Sequence, residues 1–234
     1  MLNERKKRMS AKVFKKYTLG YCPIGNGDSI DPFNQVFHNK QDISIKGMQG
    51  VDAVIFWGGT DIHPSYYKEK MHIRSQANKE YSSRDIFEWK AMNYCKIHKI
   101  PMIGVCRGAQ LMTAFVGGKL IQHVTGHQGS HQIVTSDGEL MTSTSSHHQM
   151  MYPFDVEHKM LAHTPVSLSN TYENGDHKQV LDMNIQVEPE VVYYPQVNGL
   201  AIQGHPEWAV DSRFATYCNE MVIDLLMNEE EVCV

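Results

Sequence analysis

Apolar residues in this chain gather in short runs that are separated by glycine, proline and polar residues. Each run has the length of a strand, and several are rich in β-branched and aromatic residues, as is typical of strands buried inside a sheet. The runs predict strands at residues 17–22, 51–57, 100–105, 119–122, 131–135, 160–168, 190–194 and 199–203.

Stretches with helical spacing follow three of these strands. One helix is predicted over residues 84–98, capped by Ser82 or Ser83, another over 108–116, and a closing helix begins after Asp211 or Ser212. Their expected inward stripes are Phe87, Ala91, Tyr94 or Cys95, and His98 in the first helix, and Phe214, Cys218, Met221 and Leu225 in the last.

The alternation of strand and helix predicts an α/β fold with a mostly parallel central sheet flanked by helices. The chain becomes β-rich and turn-rich after Gly117, which predicts a β excursion before the last core strand, with surface loops over 136–149 and 169–182. Residues 31–50 have no clean period and leave room for one short helix and one short strand.

Neither a repeat nor a low-complexity linker divides the sequence. We therefore expect a basic N-terminal arm over 1–16, a single domain over 17–228 and an acidic tail over 229–234. A solvated, mobile N-terminus is favoured over a nucleic-acid-binding arm for the first of these segments.

Composition limits the number of domains, the classes of partner and the cellular compartment that can be expected. The chain has 234 residues, 41% of them hydrophobic, which is enough for one sizeable core. A net charge of -4 gives no general attraction to nucleic acid or anionic lipid. Five scattered cysteines suit a reducing compartment better than a disulfide framework. With no apolar stretch of membrane-spanning length and no hydrophobic signal core, a soluble cytoplasmic protein is expected.

The most informative stretch places Cys106 directly after the strand at 100–105 and before the helix at 108–116. Gly104 and Gly108 flank it in the pattern G-x-C-x-G, the cysteine form of a nucleophile elbow. Small neighbours relieve clashes at such a strained turn, and the following helix N-terminus favours a thiolate. A buried structural cysteine would be the alternative for this motif alone.

A cysteine nucleophile needs a base, and His205 follows the last core strand. Glu207 stands two residues later, so both side chains point to the same side of an extended segment, and the carboxylate can orient the imidazole. The backbone N–H groups of Arg107 and of Gly59, which ends the strand at 51–57, are the candidate oxyanion donors.

Histidines recur at every fourth position in His123, His127 and His131. Helical His-x-x-x-His spacing can bind zinc, but Gly126 and Gly129 interrupt the stretch and argue against a helix. We therefore expect no metal and no cofactor, and we expect these histidines to line the pocket rim or to make structural hydrogen bonds.

Six motifs stand in one order along most of the chain, at 58–67, 84–88, 104–111, 117–122, 146–149 and 205–207. Together they resemble the class I glutamine amidotransferase fold, which is flavodoxin-like, and within it the γ-glutamyl hydrolase group, peptidase C26. Two departures are the glycine at position 204, where the family usually has a large aromatic residue before the histidine, and the lack of a clear early helix over 29–50.

The resemblance implies a Cys106–His205–Glu207 triad that forms a thioester with a γ-glutamyl group. It also implies that Gln110, Ser146 and His147 help to hold the glutamyl amino and carboxylate groups. The expected function is hydrolysis of a γ-glutamyl amide in a small-molecule substrate. A glutaminase subunit that feeds a separate synthetase, and an inactive binding protein on the same fold, are the alternatives. A homodimer is left open.

Overall fold

The computed structural model describes residues 16–23, 32–175 and 187–227. The expected acidic tail and all but the last residue of the expected basic arm lie outside these ranges. In the described part of the chain, no helix is both long and apolar enough to cross a lipid bilayer.

Thirteen strands form in the described ranges. They are β1 (Tyr17–Tyr21), β2 (Phe37–Asp42), β3 (Ala53–Phe56), β4 (Met102–Val105), β5 (Lys119–Ile121), β6 (His123–Val124), β7 (His131–Thr135), β8 (Leu140–Ser143), β9 (Met150–Tyr152), β10 (Lys159–His163), β11 (Tyr172–Glu173), β12 (Pro189–Tyr194) and β13 (Gly199–Ile202). Nine of them make one sheet, in the order β2-β1-β3-β4-β13-β12-β10-β7-β8.

Four α-helices accompany these strands in the same ranges. They are α1 (Ile43–Lys46), α2 (Ser83–His98), α3 (Arg107–Phe115) and α4 (Arg213–Met221). Ser82 caps α2 and Ser212 caps α4 through their side chains, as two of the alternatives in the sequence predict. The short helix and short strand for which residues 31–50 leave room are α1 and β2.

The predicted α/β class with parallel central strands is confirmed. Strands β2, β1, β3, β4 and β13 pair in parallel, and the antiparallel strands β12, β10, β7 and β8 extend the same sheet. Strands β3, β4 and β13 are buried at every position, because helices cover both faces.

Side chains alternate between two cores on opposite faces of this sheet. Ile55, Ile103 and Leu200 pack with α4 on one face. Phe56 and Met102 pack with α2 and α3 on the other. The sheet therefore fixes the strand ends rigidly at the edge where β4 and β13 terminate.

The expected inward stripe of α2 is partly wrong. Ala91 and Cys95, one of the two alternatives at that position, are buried and Phe87 packs partly buried against the core, but His98 is exposed. The first two turns bury Arg84 and Glu88 instead, because a polar network lies beneath them. Periodicity alone cannot reveal this, since it assigns charged side chains to the solvent face.

The closing helix also departs from its predicted stripe at its end. Phe214 and Cys218 are buried as expected, whereas Met221 and Leu225 are only partly buried. Residues Val222–Met227 form a π-helix, and the buried positions there are Val222 and Leu226. The wider π turn shifts the inward face by about one residue.

Three boundaries in the β-rich region differ from prediction. The loop expected over 136–149 contains β8, and the loop expected over 169–182 contains β11, while its residues 176–182 lie outside the described ranges. Strand β10 ends at His163, well before residue 168, because Pro165 cannot donate to a ladder.

Candidate active site

Cys106 occupies the turn between β4 and α3, where it is the N-cap residue. Its φ of 51° and ψ of -107° are strained for a residue with a side chain. A Cβ on Gly108 would lie 1.9 Å from the Phe56 carbonyl oxygen, and one on Gly104 would lie 2.6 Å from the Gly108 backbone. The elbow therefore needs both glycines, as the sequence predicts.

His205 lies beside this turn because β13 pairs in parallel with β4. The Cys106 N–H donates to the Ile202 carbonyl oxygen at 2.7 Å, which ties the elbow to the end of β13. The Nδ1 atom of His205 lies 2.8 Å from Oε1 of Glu207. The ring also stacks on Trp208 with centroids 3.8 Å apart. The structure thus brings Cys106, His205 and Glu207 together.

The protonation of His205 follows from its surroundings. Burial on its own lowers the pKa of His205, but hydrogen bonds to Cys106 and Glu207 outweigh it and raise the pKa to about 9. Since Nδ1 faces Glu207, Nε2 is left for the Cys106 sulfur. A protonated imidazole beside a cysteine is the arrangement of an activated thiol nucleophile.

The end of β3 forms the wall next to the triad. A Cβ on Gly58 would lie 3.0 Å from Cε1 of His205, close enough to push the imidazole out of its observed position by a few tenths of an ångström. Gly59, with a φ of 144°, is exposed. Arg84 donates to the carbonyl oxygens of Trp57 at 2.7 Å and Gly58 at 3.1 Å, which fixes the backbone of this turn.

A buried ion network connects that turn to the elbow, and sequence reasoning assigned it no role. Arg84 Nε lies 2.9 Å from Glu88 Oε1, while Arg107 makes ion pairs with both Glu88 and Asp85. The Glu88 carboxylate therefore connects Arg84, which fixes the Gly58 backbone, to Arg107, which follows the nucleophile. The i, i+4 spacing of Arg84 and Glu88 was the available signal.

A cavity of about 190 Å³ opens above Cys106. Its lining residues are Gly59, Asp61, Gln76, Cys106, Gln110, Gln128, Ser146, His147, His148 and Gln149. Pockets for drug-sized ligands measure roughly 300–1,000 Å³, so this one fits a group about as large as an amino acid.

All three residues expected to bind substrate line the cavity. The Gln110 amide donates to the Gln149 carbonyl oxygen at 3.0 Å, which leaves its own oxygen as an acceptor. Ser146 is exposed and contacts Gln128 at 3.3 Å. His147 is buried, and burial lowers its pKa well below the usual value, so its ring is neutral.

The cavity rim carries a carboxylate–histidine contact that the sequence did not suggest. Asp61 Oδ1 lies 3.1 Å from Nε2 of His148, and Asp61 Oδ2 accepts the N–H of Gln76 at 2.7 Å. The aspartate thereby joins two loops at the mouth of the cavity.

The histidines at 123, 127 and 131 do not share a helix. His123 lies in β6 and His131 in β7, and Gly126 and Gly129 have φ of 82° and 103°. His131 and His127 instead approach Glu190, and His127 also lies 3.2 Å from Glu188. Burial opposes ionisation of Glu188, but hydrogen bonds from His127 and two backbone N–H groups lower its pKa to about 2.

Comparison with known proteins shows where this architecture occurs. The family model for peptidase C26 matches residues 32–192. A γ-glutamyl-CDP-amidate hydrolase of Campylobacter jejuni is 29% identical over 128 residues, or 55% of this chain and 56% of that protein. Protein NtpR of Enterococcus hirae is 28% identical over 167 residues, or 61% of this chain and 68% of that protein.

Solved structures share the fold at low identity. A glutamine amidotransferase of Thermotoga maritima superposes with a TM-score of 0.55 and 13% identity, covering 88% of this chain and 84% of that one. Such a similarity concerns the fold alone.

Proposed function

The chain belongs to the peptidase C26 family, and on that premise we propose that it is a cysteine hydrolase that cleaves a γ-glutamyl amide through a thioester. Family membership supports a hydrolase. The observation that carries the finer proposal is Cys106, held at a strained elbow against His205, which is in turn held by Glu207.

In the first half-reaction, the Cys106 thiolate attacks the γ-carbonyl carbon and the electron pair moves onto the carbonyl oxygen. The backbone N–H groups of Gly59 and Arg107 are the proposed donors to that oxyanion. When the oxyanion collapses, the C–N bond breaks, and His205 gives its proton to the leaving nitrogen. The products are a γ-glutamyl thioester and the free amine.

In the second half-reaction, His205 is neutral and accepts a proton from a water molecule that attacks the thioester. The C–S bond breaks, glutamate leaves, and the thiolate and imidazolium are restored. Glu207 stabilises the imidazolium in both halves and fixes the tautomer in between.

The cavity supports glutamate as the acyl group. Its volume of about 190 Å³ suits an amino acid, and its wall offers amide and hydroxyl groups from Gln110, Gln128 and Ser146. These groups can hydrogen-bond the α-amino and α-carboxylate groups of a γ-glutamyl unit. The relative that acts on a γ-glutamyl-CDP-amidate makes nucleotide-bearing amides one leaving-group class to test.

The experiment incubates the full chain with glutamine and with γ-glutamyl derivatives of amines, amino acids and phosphoramidates. Release of glutamate and trapping of a γ-glutamyl adduct on Cys106 are measured by mass spectrometry. We expect Cys106→Ala to lose at least about 10³-fold in rate, and Cys95→Ala, which alters a buried cysteine on α2, to keep its activity. Full activity of Cys106→Ala, or an adduct on another residue, would reject the proposal.

A further inference from the structure

A second cluster of ionisable side chains adjoins the cavity, which one of its members also lines, and none of them transfers a proton or forms a bond in the proposed reaction. His127 comes from the loop between β6 and β7, His147 from the loop between β8 and β9, and Glu190 from β12. All three are buried, and one ligating atom from each lies within 4.8 Å of the other two. Three distant segments of the chain thus converge on one point.

His147 has the orientation of a metal ligand. Its Nδ1 lies 2.7 Å from the carbonyl oxygen of Gln149, so Nδ1 carries the hydrogen and Nε2 carries a lone pair. Within the described ranges, Nε2 is buried and has no hydrogen-bond partner. Metal-binding histidines typically donate their other N–H to a backbone carbonyl or carboxylate in this way.

The other two side chains repeat this arrangement. Nε2 of His127 lies 3.2 Å from Glu188, so Nδ1 remains as the ligating nitrogen, 3.7 Å from Glu190. Oε1 of Glu190 lies 2.8 Å from Nε2 of His131, and its Oε2 is buried without a partner among the described residues. Glu188 and His131 thus flank the outer side of the cluster, while Nδ1 of His127, Nε2 of His147 and Oε2 of Glu190 have no hydrogen-bond partner among the described residues.

Buried polar atoms without partners reduce the free energy of unfolding of the protein. In addition, two buried carboxylates repel each other unless positive charge lies between them. A divalent cation would satisfy the two nitrogens and the oxygen together. We propose that His127, His147 and Glu190 form a binding site for one zinc ion.

Zinc matches the donor set better than the common hard cations do. Ca²⁺ and Mg²⁺ prefer oxygen ligands, whereas two imidazoles and a carboxylate suit zinc. Zinc–ligand bonds of 2.0–2.2 Å place tetrahedral ligands about 3.4 Å apart. The side chains therefore need to approach one another by roughly 1.4 Å at most.

The ion would connect the cavity to the sheet. His147 lines the cavity, while Glu190 belongs to β12, the strand beside β13. Bound zinc would therefore fix the 145–149 segment against the sheet and stabilise the fold. This role is independent of the hydrolysis proposed above and does not require the ion to contact substrate.

The test uses untagged full-length Cys106→Ala protein, so that the active-site thiol cannot bind the ion. After chelator treatment, the protein is reconstituted with zinc, desalted and analysed by mass spectrometry for metal content. Cobalt titration followed by visible absorption measures affinity. We expect at least half a zinc ion per chain and a higher melting temperature with zinc.

Matched variants in the same background identify the ligands. Glu190→Gln keeps the shape and an acceptor for His131, and with His127→Gln it should weaken cobalt binding at least tenfold. His163→Gln is the control, since that histidine lies on β10 and contacts the Thr164 carbonyl. Less than half a zinc ion in the parent, or equal affinity in Glu190→Gln and His163→Gln, would overturn the proposal. If His127→Gln does not fold, the parent stoichiometry and Glu190→Gln decide it.

Discussion

His205 experiences opposing influences at the scale of a single residue. Burial favours its neutral form, while hydrogen bonds to Cys106 and Glu207 favour the cation and raise its pKa to about 9. The histidine is therefore protonated in the folded protein at neutral pH, and loses its proton as the pH rises through about 9. This proton is the one that the leaving amine receives in the proposed reaction.

The first prediction concerns Glu207→Gln. An amide at this position can orient the ring but cannot stabilise its positive charge, so the pKa of His205 should fall. We expect kcat/KM to decrease by roughly 10²–10⁴-fold, and its alkaline limb, near pH 9 in the parent, to move to lower pH. The measurement is the pH profile of kcat/KM for glutamate release.

Glu220→Gln is the control for this prediction, because that carboxylate pairs with the half-exposed Arg213 on α4. It should leave the profile unchanged. A parental profile and rate in Glu207→Gln would mean that Glu207 supports only the local structure.

Glycines show both what the sequence reveals and what it conceals at this scale. The need for Gly104 and Gly108 follows from the motif, because a sharp turn leaves no room for side chains there. Gly204 breaks the family pattern, and its reason is non-local. A Cβ there would lie 2.3 Å from Ser143 Oγ and 2.9 Å from the Thr144 carbonyl oxygen, atoms from a distant segment.

At the scale of elements, the sequence predicts that α2 exists, but it does not predict which charged residues of α2 are buried. The serine cap and apolar spacing identify the helix. Its first two turns, however, bury Arg84 and Glu88 in a network that the hydrophobic pattern cannot display. Glu88 pairs with Arg84 in the same helix and with Arg107 in the next helix along the chain, and this second partner cannot be read from the pattern of α2 alone.

The second prediction tests that network through Glu88→Gln. Glu88 is fully buried and pairs with both Arg84 and Arg107. Removing its charge leaves two buried guanidinium groups with less compensation, so we expect the free energy of unfolding to fall by about 3–5 kcal/mol. Because Arg84 also holds the Trp57 and Gly58 carbonyls, kcat should fall roughly tenfold or more.

Denaturant unfolding and steady-state kinetics measure these two effects. The control is Glu80→Gln, an exposed carboxylate shortly before the helix, which should change stability by less than about 0.5 kcal/mol. Equal stability of the two variants would show that the buried network contributes little.

The third prediction compares the cysteine at the elbow with two cysteines inside helices. Burial raises the pKa of Cys95 on α2 to about 12 and that of Cys218 on α4 well above its usual value. Their thiolate fractions at neutral pH are therefore very small, roughly 10⁻⁵ for Cys95. A thiol reagent should label Cys106, which precedes α3, before either of them.

Peptide mapping after brief labelling of the native protein measures this order. Cys95→Ala and Cys218→Ala should leave the labelling of Cys106 intact and lower stability by about 1 kcal/mol, because each removes a packed sulfur atom. Labelling of Cys95 ahead of Cys106 would contradict the placement of Cys106 at the cavity wall.

At the scale of the whole molecule, the sheet has two halves that contribute differently. The parallel half ends in Cys106 and His205, and its class follows from the alternation of strands and helices. The antiparallel half delivers the 145–149 segment to the cavity. Its strand order, with β10 between β12 and β7, depends on pairing between distant segments, which local patterns do not encode.

The antiparallel half of the sheet is relevant to whether the chain acts without a partner protein. Its segment at 146–149 forms one wall of the cavity, and the loop carrying Asp61 and Gln76 forms another, joined through His148. In the described ranges, this chain therefore builds the cavity walls from its own residues. A hydrolase that acts alone needs such walls, and it must also admit a leaving group larger than ammonia.

The last prediction follows from this difference between a hydrolase and an ammonia donor. A subunit that feeds ammonia to a synthetase gains from being nearly idle without its partner, because free ammonia would be lost to solvent. We expect the purified chain alone to hydrolyse a γ-glutamyl amide of a larger amine with a kcat/KM at least about tenfold above that for glutamine. Glutamate release from matched substrate pairs measures the ratio, with Cys106→Ala as the blank. Activity on glutamine that requires an added cell extract, with none on the larger amides, would instead identify a glutaminase subunit.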